Sequence, residues 1–326
     1  MKKKLFSFLA ASLISLTSCN ASNVHHEISE YLVGTIPYTN NFRILQLTDV
    51  HIGDKDDQDI HYKFMQNTIN HANADMIIVT GDLFTYASKT TITRFFDFMD
   101  SQGKPWTVTW GNHDEQIYAS IDWMTGVLNN YGSHCLFKDI QDDDVFGNAN
   151  FAIDLMDGTD VFERLIIMDS NRYHYGFDYN GYDYFHQDQI DWYKEMVNYK
   201  KGANPIKSLM FYHIPLPEVN DAWEYALNNP GAKEYGERNE NPCPPKYNSG
   251  FFDVIKAEQS TTAMFFGHDH INDFRVTYEG VTFSYGIKAT NRIYHSEEML
   301  GGQVIVLKND HTLDYEPLLF KYSEVI

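Results

Sequence analysis

The chain has 326 residues, 43% of them hydrophobic, with 45 acidic against 25 basic side chains and a formal net charge of −20. That length supports one large domain with an ample core, and so acidic a surface disfavours broad nucleic-acid binding, which relies on Lys and Arg neutralising phosphates. It leaves room for a small phosphorylated substrate, because bound metal ions reverse the sign locally.

The chain opens "MKKKLFSFLAASLISLTSCN", with a basic start at Lys2, Lys3 and Lys4 and an apolar run over 5–16. The run is too short to span a bilayer and suits a secretory signal peptide over 1–18, which takes the protein out of the cytoplasm. Losing that leader removes three lysines and no acids, moving the charge from −20 to −23. Its end, "LTSC", resembles the lipobox of bacterial lipoproteins, which implies a lipid on Cys19 and a cell-envelope location; an ordinary signal peptide with an incidental cysteine is the alternative. A polar linker over 19–40 then leads into a single domain over 41–326, with no repeat or second long apolar stretch. Of the cysteines, only Cys135 and Cys243 lie in that body, too few for a disulfide framework or a thiolate zinc cluster, and their pairing is not readable from sequence.

Within the domain, strand-like apolar runs alternate with helix-length amphipathic segments. "FRILQLT" (42–48) is a strand and 59–72 a helix; "MIIVT" (76–80) and 90–101 repeat the pair. "WTVTW" (106–110) follows, ahead of a helical stretch near 117–130. This spacing predicts βαβ units and a mainly parallel sheet. "FAIDLM", "RLIIMD", "SLMFY" and "AMFF" continue the sheet, and the short runs near 273–318 suggest an antiparallel finish. The acidic stretch "GDKDDQD" (53–59) lacks the glycine and final glutamate of a calcium loop, so it is a solvated turn; "QDDDVFG" (141–147) is a surface loop.

Five strands end alike. "ILQLT" runs into Asp49-Val50-His51, "MIIVT" into Gly81-Asp82 and "WTVTW" into Gly111-Asn112-His113-Asp114. "SLMFY" ends in His213 and "AMFF" in Gly267-His268-Asp269-His270, where alternation points the two histidines to one side and Asp269 to the other. Ligands of open α/β sheets gather at the carboxyl ends of strands, so these sets converge on one crevice. Oxygen and imidazole donors without thiolate suit Mn, Fe or Zn, and seven donors are too many for one tetrahedral ion but fit two ions sharing a carboxylate.

Taken together, Asp49-x-His51, Gly81-Asp82, Gly111-Asn112-His113-Asp114, His213 and Gly267-His268-x-His270 resemble the signature of calcineurin-like metallophosphoesterases, over roughly 42–308. "FYHIPLPE", "NSGFF", "GHDHINDF", "GYDY" and "FGNANF" look like the branch holding Dcr2-type and purple-acid-phosphatase-29-like phosphatases. The resemblance implies a four-layer α/β/β/α sandwich of two mixed β-sheets flanked by helices. It further implies that Asp49, His51 and His270 hold one metal and Asn112, His213 and His268 the other, with Asp82 bridging. The attacking group would be a metal-bound water or hydroxide, and His113 would donate a hydrogen bond or proton to the phosphate or leaving oxygen. The position of the iron-binding tyrosine of purple acid phosphatases is Thr85, with Tyr86 one residue later, so no tyrosinate ligand is expected. The aspartate that orients the histidine in protein phosphatases is missing there too, which leaves Asp114 as the nearest candidate in sequence.

Three further stretches bear on substrate. The aromatic segment 171–193 either packs on itself or forms a wall for a base or sugar, and its start offers Asn171 and Arg172 as substrate contacts. The Pro/Gly/Asn-rich insertion at about 214–250 suits a rim or lid that carries selectivity. Lys288 and Arg292, in "GIKATNRI", are the other basic residues to test near the pocket, with exposed surface charge the leading reading of both. The expected protein is thus an exported, lipid-anchored, binuclear phosphatase of small phosphorylated compounds. The competing readings are a phosphodiesterase on cyclic nucleotides or envelope diesters, and a metal-stabilised binding lipoprotein.

Overall fold

A computed structural model describes residues 26–140, 144–177 and 179–326, so the leader, Cys19 and residues 141–143 of the acidic loop lie outside the described residues. The expected alternation is present. In the first half, strands β1 (Leu32–Pro37), β2 (Phe42–Leu47), β3 (Met76–Thr80), β4 (Trp106–Thr109), β5 (Phe151–Asp157) and β6 (Asp160–Ile167) alternate with helices α1 (Gln58–Ala72), α2 (Lys89–Asp100) and α3 (Ile121–Leu128). The hairpin β7 (Tyr173–Tyr175) and β8 (Asn180–Tyr182) precedes α4 (Gln187–Asn198), β9 (Ser208–Phe211), α5 (Val219–Asn228), β10 (Lys233–Tyr235) and α6 (Phe251–Glu258). Strands β11 (Thr261–Phe266), β12 (Arg275–Tyr278), β13 (Val281–Tyr285), β14 (Gly301–Leu307) and β15 (Leu313–Leu319) follow, and a short helix α7 (Tyr322–Val325) closes the chain.

These strands form an eight-stranded sheet, β1-β5-β6-β9-β11-β13-β12-β10, and a five-stranded one, β15-β14-β2-β3-β4. Both are mixed. Neighbours β2, β3 and β4 are parallel, as are β6, β9 and β11, while β12–β13 and β14–β15 supply the expected antiparallel finish. Alternation along the strands separates the layers: Leu165, Leu209, Phe211, Ala263 and Phe265 join the core that also holds the five-stranded sheet, α1 and α2. Their neighbours Ile166, Met210, Met264 and Phe266 face a second core with Trp192, Tyr193, Met196 and Ile255 of α4 and α6. A strand covered on both faces needs apolar residues throughout, which is why "MIIVT" is buried at every position.

Several boundaries differ from the sequence expectation, each for a local reason. Part of the expected linker 19–40 is strand β1, which pairs in parallel with β5; an edge strand half open to solvent carries little hydrophobic alternation to announce it. The third helix begins only at Ile121, because Tyr118 N bonds to Ala87 O and Ser120 caps the helix by accepting from Trp123 N. The turn at 53–59 is more than solvated, since Asp54 Oδ1 accepts from Ser88 N at 2.8 Å and Thr91 Oγ1 at 2.7 Å, fastening it to the start of α2. Cys135 and Cys243 are both free thiols. No helix among the described residues is long and apolar enough to cross a membrane.

One charged pair lies inside the frame. Arg164 and Asp154 face each other across β5 and β6, joined by Nε to Oδ1 at 2.7 Å and a second guanidinium nitrogen to Oδ2 at 2.9 Å, and both are buried. Arg164 also reaches the Tyr199 carbonyl beyond α4 at 3.0 Å, tying that helix end to the sheet. Replacing Arg164 by Met strands the carboxylate and should cost about 3–5 kcal/mol in urea unfolding, whereas adding Asp154→Leu should recover most of that loss. Equal stability of the single and double variants would show that the pair is not what matters.

Candidate metal centre

The carboxyl ends of β2, β3 and β4 in one sheet and of β9 and β11 in the other open onto the same crevice. Short cross-links hold their turns together: Asp49 N to Gly81 O at 3.2 Å, His51 N to Asp82 O at 2.9 Å, and Gly267 N to His213 O at 3.1 Å. Asp49, His51, Asp82 and His268 all take left-handed backbone angles, φ 53°, 54°, 52° and 81°. Asp and His tolerate that region better than most residues, but each such position costs on the order of 1–3 kcal/mol unless its surroundings enforce it. Gly81, at φ 80°, has no such cost, and a Cβ there would come within 2.6 Å of His213 Cγ. At Gly111 a Cβ would overlap the backbone nitrogen and Oδ1 of Asp82.

The turn bearing Asp49 and His51 has a dedicated brace. Three consecutive carbonyls accept from three consecutive residues: Thr48 O from Ala289 N at 2.8 Å, Asp49 O from Lys288 Nζ at 2.8 Å, and Val50 O from Thr290 Oγ1 at 2.7 Å. Lys288 is therefore not the surface charge expected from sequence; it is 2% exposed because its ammonium is committed to a buried carbonyl. Burial lowers it to about 7, against the upward pull of Asp49 and Asp82. Arg292 is half-buried and pairs with Asp56 at 2.8 Å.

Two donor sets share Asp82. One ligand atom from each of Asp49, His51, Asp82 and His270 lies within 4.8 Å of the others, and the same holds for Asp82, His213 and His268. Asp82 Oδ2 is 3.2 Å from His213 Nε2 and 3.6 Å from His51 Nε2, and Asp49 Oδ1 is 3.4 Å from His270 Nε2. The remaining ring nitrogens are spoken for. His213 Nδ1 donates to Thr80 O at 2.8 Å and His270 Nδ1 to Tyr294 O at 2.9 Å, which leaves Nε2 of each ring facing the crevice. His51 Nδ1 meets Thr85 Oγ1 at 2.9 Å.

That wiring fits a cation. His51 Nε2 and His270 Nε2 stand 3.0 Å apart with no carbonyl or hydroxyl between them, a contact that needs a proton or a metal to offset two facing lone pairs. His268 Nε2 and both amide atoms of Asn112 are buried with no hydrogen-bond partner, and His213 Nε2 has only the Asp82 carboxylate beside it. Charge points the same way. Burial drives Asp82 and Asp49 upward, yet His213 and His51 beside the first, and His270 beside the second, hold both below the ordinary carboxylate range. Burial, then the Lys288 charge, keeps His51 neutral, and burial then His213 takes His268 down to about 3. His213 alone is held up at about 10: burial lowers it, but Asp82 more than compensates. A cation binding there must displace that proton.

His113 stands beside this cluster. Its ring is edge-on to that of His51 at 5.2 Å, and its backbone nitrogen donates to Asp82 Oδ1 at 2.7 Å. The nearest carboxylate in sequence does not orient it. Asp114 turns inward to accept from Gly111 N at 2.7 Å and Phe84 N at 3.0 Å, and burial, then the Asp82 charge, raises it to about 7. The partner of His113 Nδ1 is Gln116 Oε1 at 2.8 Å. Asp269 accepts from Cys243 N and Tyr285 OH, but the segment is a turn beyond β11 with His268 left-handed, not the extended stretch that alternation assumed. Asn171 is 3% exposed, and its Nδ2 donates to Tyr184 O and Gln189 Oε1, bracing the loop, while its Oδ1 is buried with no hydrogen-bond partner. Arg172 is held by Asn148 Oδ1 at 2.6 Å and lies 3.7 Å from Asp169.

The aromatic segment packs on itself, one of the two arrangements expected of it. Its rings stack on one another, and Tyr182 also sets its edge against the His268 ring at 4.4 Å. On the other side Tyr294, half exposed, stacks on His270 at 4.2 Å. The insertion folds back onto the loop that carries these histidines, through Glu237 N to Asp273 Oδ1 and Asn239 N to Asn272 Oδ1. Thr85, Gln116, Thr290 and the brace at 288 escaped the sequence reading because a hydrogen bond to a ligand leaves no spacing signature.

Residues 42–272 match the family model described as calcineurin-like phosphoesterase. The chain is 27% identical to a probable inactive purple acid phosphatase 14 of Arabidopsis thaliana, over 90% of this chain and 81% of that protein. It is 26% identical to the phosphatase DCR2 of Saccharomyces cerevisiae, over 72% of this chain and 44% of that one. A dimetal phosphatase from Danio rerio superposes with a TM-score of 0.50 at 13% identity, covering 87% of this chain and all of that one, which is a likeness of fold.

The Thr85–His51 contact supplies the sharpest test of the donor wiring. Thr85→Val keeps shape and removes the partner of Nδ1, so metal affinity should fall about 10–100-fold while the fold is retained. Unchanged affinity by calorimetric titration would mean that the hydroxyl does not orient the ring.

Proposed function

The chain belongs to the calcineurin-like phosphoesterase family, and on that premise we propose that it removes phosphate from small phosphorylated compounds in the crevice around Asp82. The observation that carries this reading is the shared carboxylate: two donor sets meet at Asp82, each with imidazole nitrogens turned inward. Asp49, His51 and His270 would hold one cation and Asn112, His213 and His268 the other, with Asp82 common to both. Bound there, two such ions neutralise phosphoryl oxygens and lower the pKa of a water.

The chain's own residues do the rest. His113, half-buried at the edge of the cluster, is placed to donate to the leaving oxygen, while its backbone nitrogen steadies Asp82. Tyr182 and Tyr294 press on the backs of His268 and His270 and keep those rings from turning. The word "inactive" in the name of the Arabidopsis relative describes that protein; here every residue of the expected donor set, and His113, is in place.

The test compares an aryl phosphate monoester with the matching diester, using protein loaded separately with Mn, Zn or Fe and a chelated control. Monoester turnover that chelation abolishes is the expected result; a preference for the diester would move the substrate to cyclic nucleotides or envelope diesters. His113→Ala should keep two metals per chain while turnover falls about 10²–10⁴-fold, and undiminished turnover would remove His113 from the chemistry.

For location, we propose export and lipid attachment at Cys19, supported by the basic and apolar start and the "LTSC" that ends it. Cys19→Ser should move the protein from the membrane to the soluble fraction of fractionated cells. Persistence in the membrane would count against the anchor.

A further inference from the structure

The side chain assigned to the leaving oxygen, His113, has an unexpected holder. Gln116 N donates to His113 O at 2.8 Å, so a single turn folds residue 116 back over residue 113 and brings Gln116 Oε1 to 2.8 Å from His113 Nδ1. Gln116 is itself anchored, because Tyr86 N donates to its carbonyl at 2.6 Å. The carboxylate one residue from His113 is committed elsewhere: Asp114 has no exposed surface and closes the turn through Gly111 N and Phe84 N. Among the described residues no other side chain hydrogen-bonds to the His113 ring.

We propose that Gln116 is the positioning residue for His113, fixing the imidazole through its amide where a carboxylate would otherwise serve; this rests on reading His113 as the group that meets the leaving oxygen. The choice of an amide follows from the electrostatics of the crevice. His113 N is already bonded to Asp82, which with Asp49 forms the negative centre of the cluster. A carboxylate there would add a third negative charge beside the cluster. An amide adds no charge, and it serves either ring tautomer: Oε1 accepts from Nδ1–H, or after a half-turn of the amide its NH₂ donates to a bare Nδ1 and leaves the proton on Nε2. Gln116 thus holds the ring without fixing where its proton sits.

The test combines a spectroscopic and a kinetic readout on zinc-loaded protein. With ¹⁵N-labelled histidine, Gln116→Leu should change the ring nitrogen signals of His113 and leave those of His51, His213, His268 and His270 unshifted. With substrates, the same variant should lower kcat on an alkyl phosphate by about tenfold or more, and less on a nitrophenyl phosphate whose leaving oxygen needs little help. KM and zinc content should stay constant, and the substitution should have no further effect in a His113→Ala background. Gln116→Asn, shorter by one methylene, should restore neither signal nor rate. Gln116→Glu should restore the ring position while lowering zinc affinity. The proposal is overturned if His113 signals do not change, if both substrates slow equally, or if the effects of the two substitutions simply add. Should wild-type protein turn over neither ester, the assigned function fails, and the ¹⁵N spectra still decide the role of Gln116.

Discussion

The carboxylate of Asp82 is the group common to both donor sets. Oδ1 accepts from the His113 backbone, and Oδ2 faces His213 and His51 from opposite sheets. A buried carboxylate among buried imidazoles is expensive unless positive charge is supplied, and the cost of taking an ion out of water is several kcal/mol even after relaxation. Protons on the histidines meet part of that need, as the upward shift of His213 shows. Cations meet it better, because they also satisfy the unpaired atoms of Asn112 and His268. Charge compensation at Asp82 therefore couples the packing of two sheets to metal chemistry.

Such a cluster needs rigid supports, and the architecture provides them in layers. Strand ends fixed by ladder hydrogen bonds carry the donors, on both sides for β2, β3, β9 and β11 and on one side for the edge strand β4. Immediately beyond, the chain turns sharply through left-handed positions that only a surrounding scaffold can enforce. The brace from 288–290 bonds three successive carbonyls of the first such turn, and Thr80, Thr85 and Tyr294 each fix one imidazole. Donors are placed by strands, their ring planes by second partners, and their tautomers by whether that partner is a carbonyl.

Around the mouth the chemistry changes from charged to aromatic. Tyr182 and Tyr294 flank the histidines, and the insertion docks on the segment between β11 and β12. The strongly acidic chain offers a phosphate little attraction at long range, so recognition of the anion falls to the cluster itself.

Much of this was legible in the sequence. Periodicity located the helices α1 and α2 and strands β2, β3 and β4 to within a residue or so, since apolar runs buried on both faces leave a strong pattern. The donors were legible because each follows such a run directly, whereas their division between two sheets that open on one crevice was not. Edge strand β1 was lost in what looked like a polar linker, for its half-exposed residues carry no pattern. Lys288 was misplaced because a charge is ordinarily exposed, and nothing local reveals a buried carbonyl waiting for it. For His113 the sequence offers only the adjacent Asp114 as a candidate, since adjacency is visible along a chain and the turn that brings Gln116 to the ring is not. The order and type of residues thus determined which groups are brought to the crevice. Only the tertiary structure decided how each is held, because hydrogen bonds between side chains distant in sequence depend on coordinates that no spacing encodes.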